Sequence, residues 1–395
     1  MPAVKIVHIT TAAISLRYLL LNQLCELRSI GYEVQGISTP GQDASILKAS
    51  GIGHIPVPMT RRFSPLLDVV AFINLLRILR RSKPTIVHTH TPKPGLLGQV
   101  AAKFSKIPII INTVHGYYFT VDTPKALKAL YVISERIASF CSDTIFFQNH
   151  EDMQIAISKK ICRSDKARYL GNGIDLKLFN RNRLNDVVIA SKRRELGIAP
   201  GELVVGFVGR LVREKGILEL LQAAAYFEEK HKGVRFLVIG SLDRDKDGSL
   251  TQAELDFYNN SGICVFAGLR NDMSEMYAIM DVFVLPSYRE GFPRSSMEAA
   301  AMGVPCIVSD IRGCRETVEH ERNGILVPSR NVPALCAAIE RLLADPDKRK
   351  LMGIEGRRLS VERFDEQVVF TKVKDEYERL LQKKNLIKSP VRTHL

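Results

Sequence analysis

Glycine and positively charged side chains stand together at the end of one apolar run in the second half of the sequence. Residues 205–209 form the run, Arg210 follows it, and Lys215 and Gly216 come just before a helical pattern. Glycine lets the backbone approach an anion, the planar guanidinium of Arg210 binds two phosphate oxygens, and Lys215 adds a compact charge. The pattern predicts a diphosphate-binding site, and a basic surface loop is the alternative.

A second stretch carries two carboxylates. Glu290 lies in a loop with Gly291, Phe292 and Pro293, and Glu298 lies in the alanine-rich helical pattern that follows. Proline suits the first turn of a helix, which leaves the N–H groups of Gly291 and Phe292 available to a ligand. Carboxylates accept hydrogen bonds from hydroxyls, so one glutamate is suited to a sugar and the other to a ribose. The alternative is a helix that simply begins after a Glu-Gly turn.

Alternating elements must position these side chains. Short β-rich apolar runs are each followed by a helical pattern, and the rhythm restarts at residue 203. This alternation predicts parallel βαβ units and an α/β chain of two doubly wound, Rossmann-like domains that face a ligand across a cleft. The predicted strands are 5–10, 33–38, 86–89, 109–114 and 144–148 in the first half, and 203–209, 235–240, 264–267, 282–286 and 306–309 in the second.

The same repetition suggests domain bounds. We place one domain at 1–180, a polar and basic linker at 181–200, a second domain at 201–365, and a C-terminal helix with a tail at 366–395. Apolar residues recur at helical spacing in the last helix and predict one buried stripe there. They are Val369, Phe370, Val373, Tyr377, Leu380 and Leu381.

Composition narrows the class of protein. The 395 residues are 46% hydrophobic and 25% charged, and 56 Lys and Arg against 42 Asp and Glu give a net charge of +14. Such a charge favours binding of polyanions. The sequence has no zinc-finger spacing, no basic stretch interleaved with aromatic residues and no tryptophan, so it carries no signal for nucleic-acid binding. Seven cysteines without a Cys-x-x-Cys pair argue against a disulfide framework or a zinc site and favour the reducing cytoplasm.

Five motifs follow one another along the chain: Asn172-Gly-Ile-Asp175, Gly209-Arg210 with Lys215-Gly216, Leu285-Pro-Ser-x-x-Glu-Gly-Phe-Pro293, the pair Glu290 and Glu298, and Gly303-Val-Pro305. Together they resemble the retaining GT-B glycosyltransferases of family four, the glycosyl transferases group 1. The resemblance covers essentially the whole chain. The loop 286–293 and Arg312-Gly-Cys-Arg-Glu316 are also similar to bacterial surface-polysaccharide enzymes.

The resemblance implies a role for each matching residue. Arg210 and Lys215 would hold the donor diphosphate, Glu298 the ribose, and Glu290 the donor sugar. A histidine after a strand of the first domain would lie near that sugar, and Thr113-Val-His115-Gly116 matches this element, although a neutral core histidine is the alternative. The implied catalytic residues are His115, Glu290, Arg210 and Lys215, and the implied donor-binding residues are Gly209, Arg210, Lys215, Glu290, Gly291, Phe292 and Glu298.

The resemblance also implies the chemistry. A nucleotide diphosphate sugar would donate a hexosyl or N-acetylhexosaminyl group from the second domain to an acceptor held by the first. The leaving diphosphate would take the acceptor proton, and no metal or other cofactor is required because two cationic side chains stabilise the charge. One segment departs from the pattern: many relatives carry a glycine pair after the first strand, where this chain has His8-Ile-Thr-Thr-Ala-Ala-Ile14. Contacts from that loop are therefore left open.

An apolar helical pattern at 66–79 bears on the acceptor. It contains Asp68 and Arg77, is too short to span a bilayer, and ends among Arg80, Arg81 and Lys83. It can rest on an anionic membrane surface or face the core with a solvated basic end, and the sequence favours neither. The first case suits a lipid-linked glycan acceptor and a cytoplasmic enzyme peripheral to the inner face of the membrane, in bacterial polysaccharide synthesis.

Two other functions stay open. A sugar-nucleotide epimerase of the same fold would use the same nucleotide site. A calcium-binding protein is suggested by an EF-hand-like loop with Asp243, Asp245, Asp247 and Glu254, but an EF-hand needs a preceding helix and this loop follows a predicted strand. We interpret it as a polar loop in which Ser249 or Thr251 caps the next helix, with no metal bound.

Overall fold

Two parallel sheets organise the chain, one in each of two units. The computed structural model describes residues 4–60, 64–120, 123–231, 233–242, 248–260 and 262–387. One unit contains the chain up to Gly171 together with the chain from Val369 onward, and the other contains Asn172–Val368. Two α/β domains of Rossmann type were expected from the alternating pattern, and this expectation is confirmed.

The sheet of the first unit has seven strands in the order β3-β2-β1-β4-β5-β6-β7. Every pair of neighbours is parallel. The prediction missed β3 and β7, because both are short and neither presents a long apolar run. The strands are β1 Lys5–Ala12, β2 Glu33–Thr39, β3 Gly53–Pro56, β4 Ile86–His90, β5 Ile109–Val114, β6 Thr144–Phe147 and β7 Ala167–Tyr169.

Helices cover both faces of this sheet, as the alternation of buried strand residues requires. Ile6 and Ile86 pack against the first helix and the C-terminal helix, whereas their neighbours Val7 and Val87 pack against the helices before and after β4. The helices are Ala13–Ser15, which continues through a π-helical turn Leu16–Leu20 into Leu21–Ser29, then Asp43–Ala49, Pro65–Ser82, Pro92–Phe104, Lys125–Cys141, His150–Ser158 and the C-terminal Glu366–Lys383.

The C-terminal helix contributes its predicted stripe to the first unit. Phe370, Val373, Tyr377, Leu380 and Leu381 are all buried, and Val369 packs beside them. The amphipathic spacing read from the sequence is therefore confirmed. Periodicity alone did not reveal that this stripe covers the sheet of the first unit, although the second unit precedes it in the chain.

The sheet of the second unit has six parallel strands in the order β10-β9-β8-β11-β12-β13. Its strands are β8 Leu203–Val208, β9 Val234–Ile239, β10 Cys264–Gly268, β11 Val282–Leu285, β12 Cys306–Ser309 and β13 Gly324–Val327. Its helices are Asp186–Glu195, Ile217–Lys230, Gln252–Asn260, Met273–Ala278, Arg294–Ala301, Cys314–Thr317, Val332–Ala344 and Pro346–Arg363, with 3₁₀ turns at Arg181–Arg183 and Arg213–Lys215.

The observed division differs from the predicted bounds at 1–180, 181–200, 201–365 and 366–395. Residues 181–200, expected to be a linker, lie inside the second unit and contain the helix Asp186–Glu195. Lys192 on this helix forms ion pairs with Asp272 at 2.5 Å and Glu275 at 3.0 Å. The segment is polar because it contains a surface helix that ion pairs hold against the rest of the unit.

The EF-hand-like loop lies only partly within the described residues, because Asp243, Asp245 and Asp247 fall outside them. Glu254 is described, and its Oε2 accepts hydrogen bonds from the N and Oγ1 of Thr251 at 2.8 and 2.9 Å. The N of Glu254 donates in return to Thr251 Oγ1 at 3.2 Å. This reciprocal pair is a capping box for the helix Gln252–Asn260, so the predicted cap at Thr251 is confirmed.

Candidate functional site

The second sheet has a topological switch point at its centre. The chain runs from β8 outward to β9 and β10, and then returns to β11 on the other side of β8. Loops that leave neighbouring strands in opposite directions open a crevice at the carboxyl ends of those strands, where α/β sheets bind ligands. Gly209 and Arg210 follow β8, and Glu290 follows β11, so the fold brings the two predicted motifs to this point.

The turn after β8 packs closely against the loop after β11. Gly216 has a φ of +71°, and a Cβ atom added to it would lie 2.1 Å from the carbonyl oxygen of Pro286. The backbone N of Tyr288 donates a hydrogen bond to the carbonyl of Glu214 at 2.9 Å. Glycine is required at position 216 because both the left-handed backbone and the close approach exclude a side chain.

Lys215 and Glu290 meet across these loops. Lys215 Nζ lies 2.5 Å from Glu290 Oε1, and the hydroxyl of Ser287 donates to the same oxygen at 2.7 Å. The Glu290 side chain is only 8% exposed and that of Lys215 is 21% exposed. A cation suited to phosphate and a carboxylate suited to a sugar hydroxyl are therefore held side by side.

Two further motifs converge on the loop that contains Gly291 and Phe292. The side-chain amide of Asn172 donates to the carbonyl of Phe292 at 3.0 Å. Gly313, with a φ of +80°, comes so close that a Cβ atom on it would lie 2.5 Å from the carbonyl oxygen of Gly291. Pro293 has extended backbone and occupies the N-cap position before the helix Arg294–Ala301, which corrects the prediction that it lies in the first helical turn.

Glu298 lies on the helix Arg294–Ala301 and is held by a buried tyrosine. The hydroxyl of Tyr277 donates to Glu298 Oε2 at 2.9 Å, and Arg294 Nε lies 3.8 Å from Oε1. Burial raises the pKa of Glu298, and the nearby Arg294 and the hydrogen bond from Tyr277 oppose this shift. Glu298 and Glu290 therefore have different hydrogen-bond and ion-pair partners.

Several supporting side chains were not foreseen. Arg289 pairs with Glu214, the hydroxyl of Tyr288 donates to Glu219, and the guanidinium of Arg330 lies 4.5 Å from the ring centre of Tyr288. These contacts link residues far apart in the chain, so no local pattern signals them. Ser287 was not foreseen either, although a hydroxyl three residues before Glu290 is a local signal for such a hydrogen bond.

His115 lies in the first unit, directly after β5. Its Nε2 is 3.1 Å from Nδ1 of His90, the last residue of the neighbouring β4, and Gln148 hydrogen-bonds to its side chain. Burial lowers the pKa of His115 to about 4, and the bond with Gln148 opposes this shift. The ring is therefore neutral near pH 7, and it lies near the β1–β4 switch point of its own sheet.

Two family models match the chain. The model described as "Glycosyl transferases group 1" matches residues 188–359, and the model described as "Glycosyl transferase 4-like" matches residues 5–149. The first match contains Arg210, Lys215, Glu290 and Glu298, and the second contains His115.

Similar proteins include the capsular polysaccharide biosynthesis glycosyltransferase CapM of Staphylococcus aureus, 30% identical over 383 residues, which are 95% of this chain and 97% of CapM. A UDP-Gal:alpha-D-GlcNAc-diphosphoundecaprenol alpha-1,3-galactosyltransferase of Escherichia coli is 30% identical over 326 residues, 81% of each chain. Among solved structures, HepE of Anabaena in complex with UDP and glucose has a TM-score of 0.78 at 18% identity, over 95% of this chain and 99% of HepE.

Proposed function

The chain belongs to the group 1 glycosyltransferases of the GT-B fold, and on this basis we propose that it transfers a sugar from a nucleotide diphosphate sugar to a glycan acceptor with retention of configuration. The transferred group is a hexosyl or N-acetylhexosaminyl residue. The observation that carries the proposal is the contact between Lys215 and Glu290 at the switch point of the second sheet. The residues matched to diphosphate and to donor sugar are adjacent there.

The proposed reaction needs no protein nucleophile. The bond between the anomeric carbon and the diphosphate oxygen breaks, and the acceptor oxygen bonds to that carbon on the same face. The acceptor proton passes to the departing diphosphate. Arg210 and Lys215 stabilise the charge that develops on the leaving group, which is the largest catalytic effect available to such a site. His115 and Glu290 orient the donor sugar, and Glu298 binds the ribose.

Lys215 and Glu290 form an ion pair that joins the two loops. Buried charged groups are costly unless paired, and this ion pair holds both side chains in position. When the donor binds, a phosphate oxygen replaces Glu290 as a partner of Lys215, and a sugar hydroxyl donates to the carboxylate instead. Ser287 keeps Glu290 oriented during the exchange, because its hydroxyl holds the same Oε1.

Binding and turnover of the donor test this assignment. We expect UDP, GDP or ADP to bind selectively in calorimetry, and Glu298→Ala to weaken that binding by about tenfold through the loss of hydrogen bonds to ribose. Arg210→Ala is expected mainly to lower kcat, by about a hundredfold, because it exposes leaving-group charge. Wild-type affinity and kcat in both variants would refute the site. Donor conversion without release of free nucleoside diphosphate would indicate epimerisation instead.

A lipid-linked acceptor in bacterial polysaccharide synthesis is part of the proposal. The relative from Escherichia coli is named for transfer to a diphosphoundecaprenol-linked sugar, and the first unit exposes apolar side chains suited to a membrane surface. On the helix Pro65–Ser82, Ala71, Leu75 and Leu79 are buried, while Leu66 and Val70 are 83% and 53% exposed. The helix thus faces the core on one side and presents apolar residues on the other.

The exposed apolar residues extend to a second helix of the same unit. Leu130, Ile133 and Phe140 on Lys125–Cys141 are 56%, 53% and 78% exposed. The helix Pro92–Phe104 packs between these two helices. Among the described helices, none is long and apolar enough to cross a bilayer. We therefore propose that this face rests on the membrane at its cytoplasmic side, where the exposed Arg80, among other basic residues, meets anionic headgroups.

Vesicle binding tests the membrane surface. The wild type should sediment with phosphatidylglycerol vesicles and much less with phosphatidylcholine vesicles, and high salt should weaken binding. Leu66→Ser with Val70→Ser should reduce sedimentation, because about 1.5–3 kcal/mol of apolar burial is lost per side chain. Leu351→Ser with Ile354→Ser is the matched control in the second unit, where both residues are exposed. Equal loss in both double variants would count against this surface.

A further inference from the structure

Three buried imidazoles, one half-buried imidazole and a buried tyrosine form a continuous group in the first unit. His8 lies on β1, His88 and His90 lie on β4, and His8 and His88 are in register, so their side chains share one face of the sheet. Tyr377 comes from the C-terminal helix. His8, His88 and Tyr377 are 0% exposed and His90 is 1% exposed. The ring centres of His88 and His90 are 4.3 Å apart in a stacked arrangement.

Hydrogen bonds connect these side chains in one sequence that ends at His115. Tyr377 Oη lies 2.6 Å from His88 Nδ1 and 3.4 Å from His8 Nε2. His8 Nδ1 is 3.0 Å from His90 Nε2, and His90 Nδ1 is 3.1 Å from His115 Nε2. At the other end, His88 Nε2 is 2.7 Å from Thr113 Oγ1. We call this sequence, from Thr113 through His88, Tyr377, His8 and His90 to His115, the histidine chain.

The positions of the protons in the histidine chain depend on one another. Burial lowers the pKa of His8 to about 3 and moves the pKa values of His88 and His90 in the same direction, so all three rings are neutral. A neutral imidazole has one N–H donor and one acceptor nitrogen, and the tyrosine hydroxyl has one proton to donate. If His115 accepts from His90, then His90 accepts from His8 and His8 accepts from Tyr377. The tautomer of His115 is thereby coupled to the direction of the Tyr377 hydroxyl, and the hydrogen bond with Gln148 acts on the same ring.

The same histidines invite a second interpretation, because ring nitrogens of His8, His88 and His90 lie within 4.8 Å of one another. A metal needs its ligand nitrogens to point at one centre. Here His8 and His90 face each other through one nitrogen each, whereas the two nitrogens of His88 face Tyr377 and Thr113. The directions of the rings fit a chain of hydrogen bonds better than a shared ion.

We propose that Tyr377, His8 and His90 are positioning residues that hold His115 in one ring orientation and one tautomer. The inference rests on the proposed function, in which His115 orients the donor sugar. A fixed tautomer keeps one ring nitrogen of His115 as donor and the other as acceptor in every molecule of the protein, and outer-shell partners commonly act in this way. The C-terminal helix thereby contributes to the site through Tyr377 without any residue of its own at the substrate.

Tyr377→Phe removes one hydroxyl and keeps the ring, so it tests the histidine chain with little change in packing. Tyr32→Phe is the control, because the Tyr32 ring packs edge-on against Tyr377 at 6.4 Å and lies outside the chain. Spectra of ¹⁵N-histidine-labelled protein should show one neutral tautomer of His115 in the wild type and in Tyr32→Phe. Tyr377→Phe should show the other tautomer or a mixture, and its kcat should fall by about tenfold with donor KM unchanged.

A second variant distinguishes an effect of the whole histidine chain from an effect of the Tyr377 contact alone. His90→Asn keeps an amide near the position of Nδ1, toward His115, but loses the link to His8, so it should behave as Tyr377→Phe does. Wild-type spectra and kcat in both variants, measured well below their Tm, would overturn the proposal. So would one tightly bound metal ion per chain in elemental analysis of the purified enzyme. The spectra need no turnover, so they decide this inference even if transferase activity is not found.

Discussion

Lowering the pH from 7 to 5 is expected to destabilise the first unit selectively, because its buried imidazoles are held neutral. Burial lowers the pKa of His8 from 6.5 to about 3. Between these values the unfolded chain binds a proton that the folded chain does not, so the stability contributed by His8 is full above pH 6.5 and falls as the pH decreases. At pH 5 the loss is about 2 kcal/mol from this residue. His88 and His90 add to it in the same direction, whereas Glu135 of the same unit, whose pKa burial raises to about 7, offsets part of the loss.

Hydrogen exchange of individual strands measures this effect. Peptides that cover β1 and β4 should show a lower opening free energy at pH 5 than at pH 7 after correction for intrinsic exchange rates, and peptides from β8 and β11 should change less. His8→Asn should reduce the pH dependence of β1 by up to about 1.4 kcal/mol per pH unit. His320→Asn is the control, because that side chain is 53% exposed. An opening free energy of β1 that is equal at both pH values would refute the reasoning.

Two substitutions test the local geometry of the second unit. Gly216→Ala should lower the stability of this unit by more than about 1 kcal/mol and weaken nucleotide binding, because its Cβ would clash with Pro286. Gly201→Ala is the control, since a Cβ there would meet nothing within 4 Å and only the backbone cost remains. Equal losses of stability in thermal unfolding would contradict this prediction. Thr251→Ala removes the cap shared with Glu254 and should cost about 1 kcal/mol without altering kcat, and a change in kcat at full stability would contradict a purely capping role.

Local patterns predicted most of the strands, but not β3, β7 and β13. Alternation of apolar runs and helical spacing predicted ten of the strands near their observed bounds, because burial on both faces of a parallel sheet leaves a near-continuous apolar run. The short edge strand β3 was missed since its residues are only partly buried. Thr251 and Glu254 were readable as a cap because both partners lie within one helical turn. Residue types also indicated the chemistry at Arg210 and Lys215.

The amino-acid sequence by itself determined which groups are available and which elements carry them, since side-chain type and local spacing depend only on near neighbours. The tertiary structure decided which groups meet. Lys215 contacts Glu290 across 75 residues because β8 and β11 are neighbours in the sheet, and His88 contacts Tyr377 across 289 residues because the C-terminal helix returns to the first unit. Strand order and the return of a distant helix leave no periodic trace in the chain, which is why the histidine chain became visible only in the folded protein.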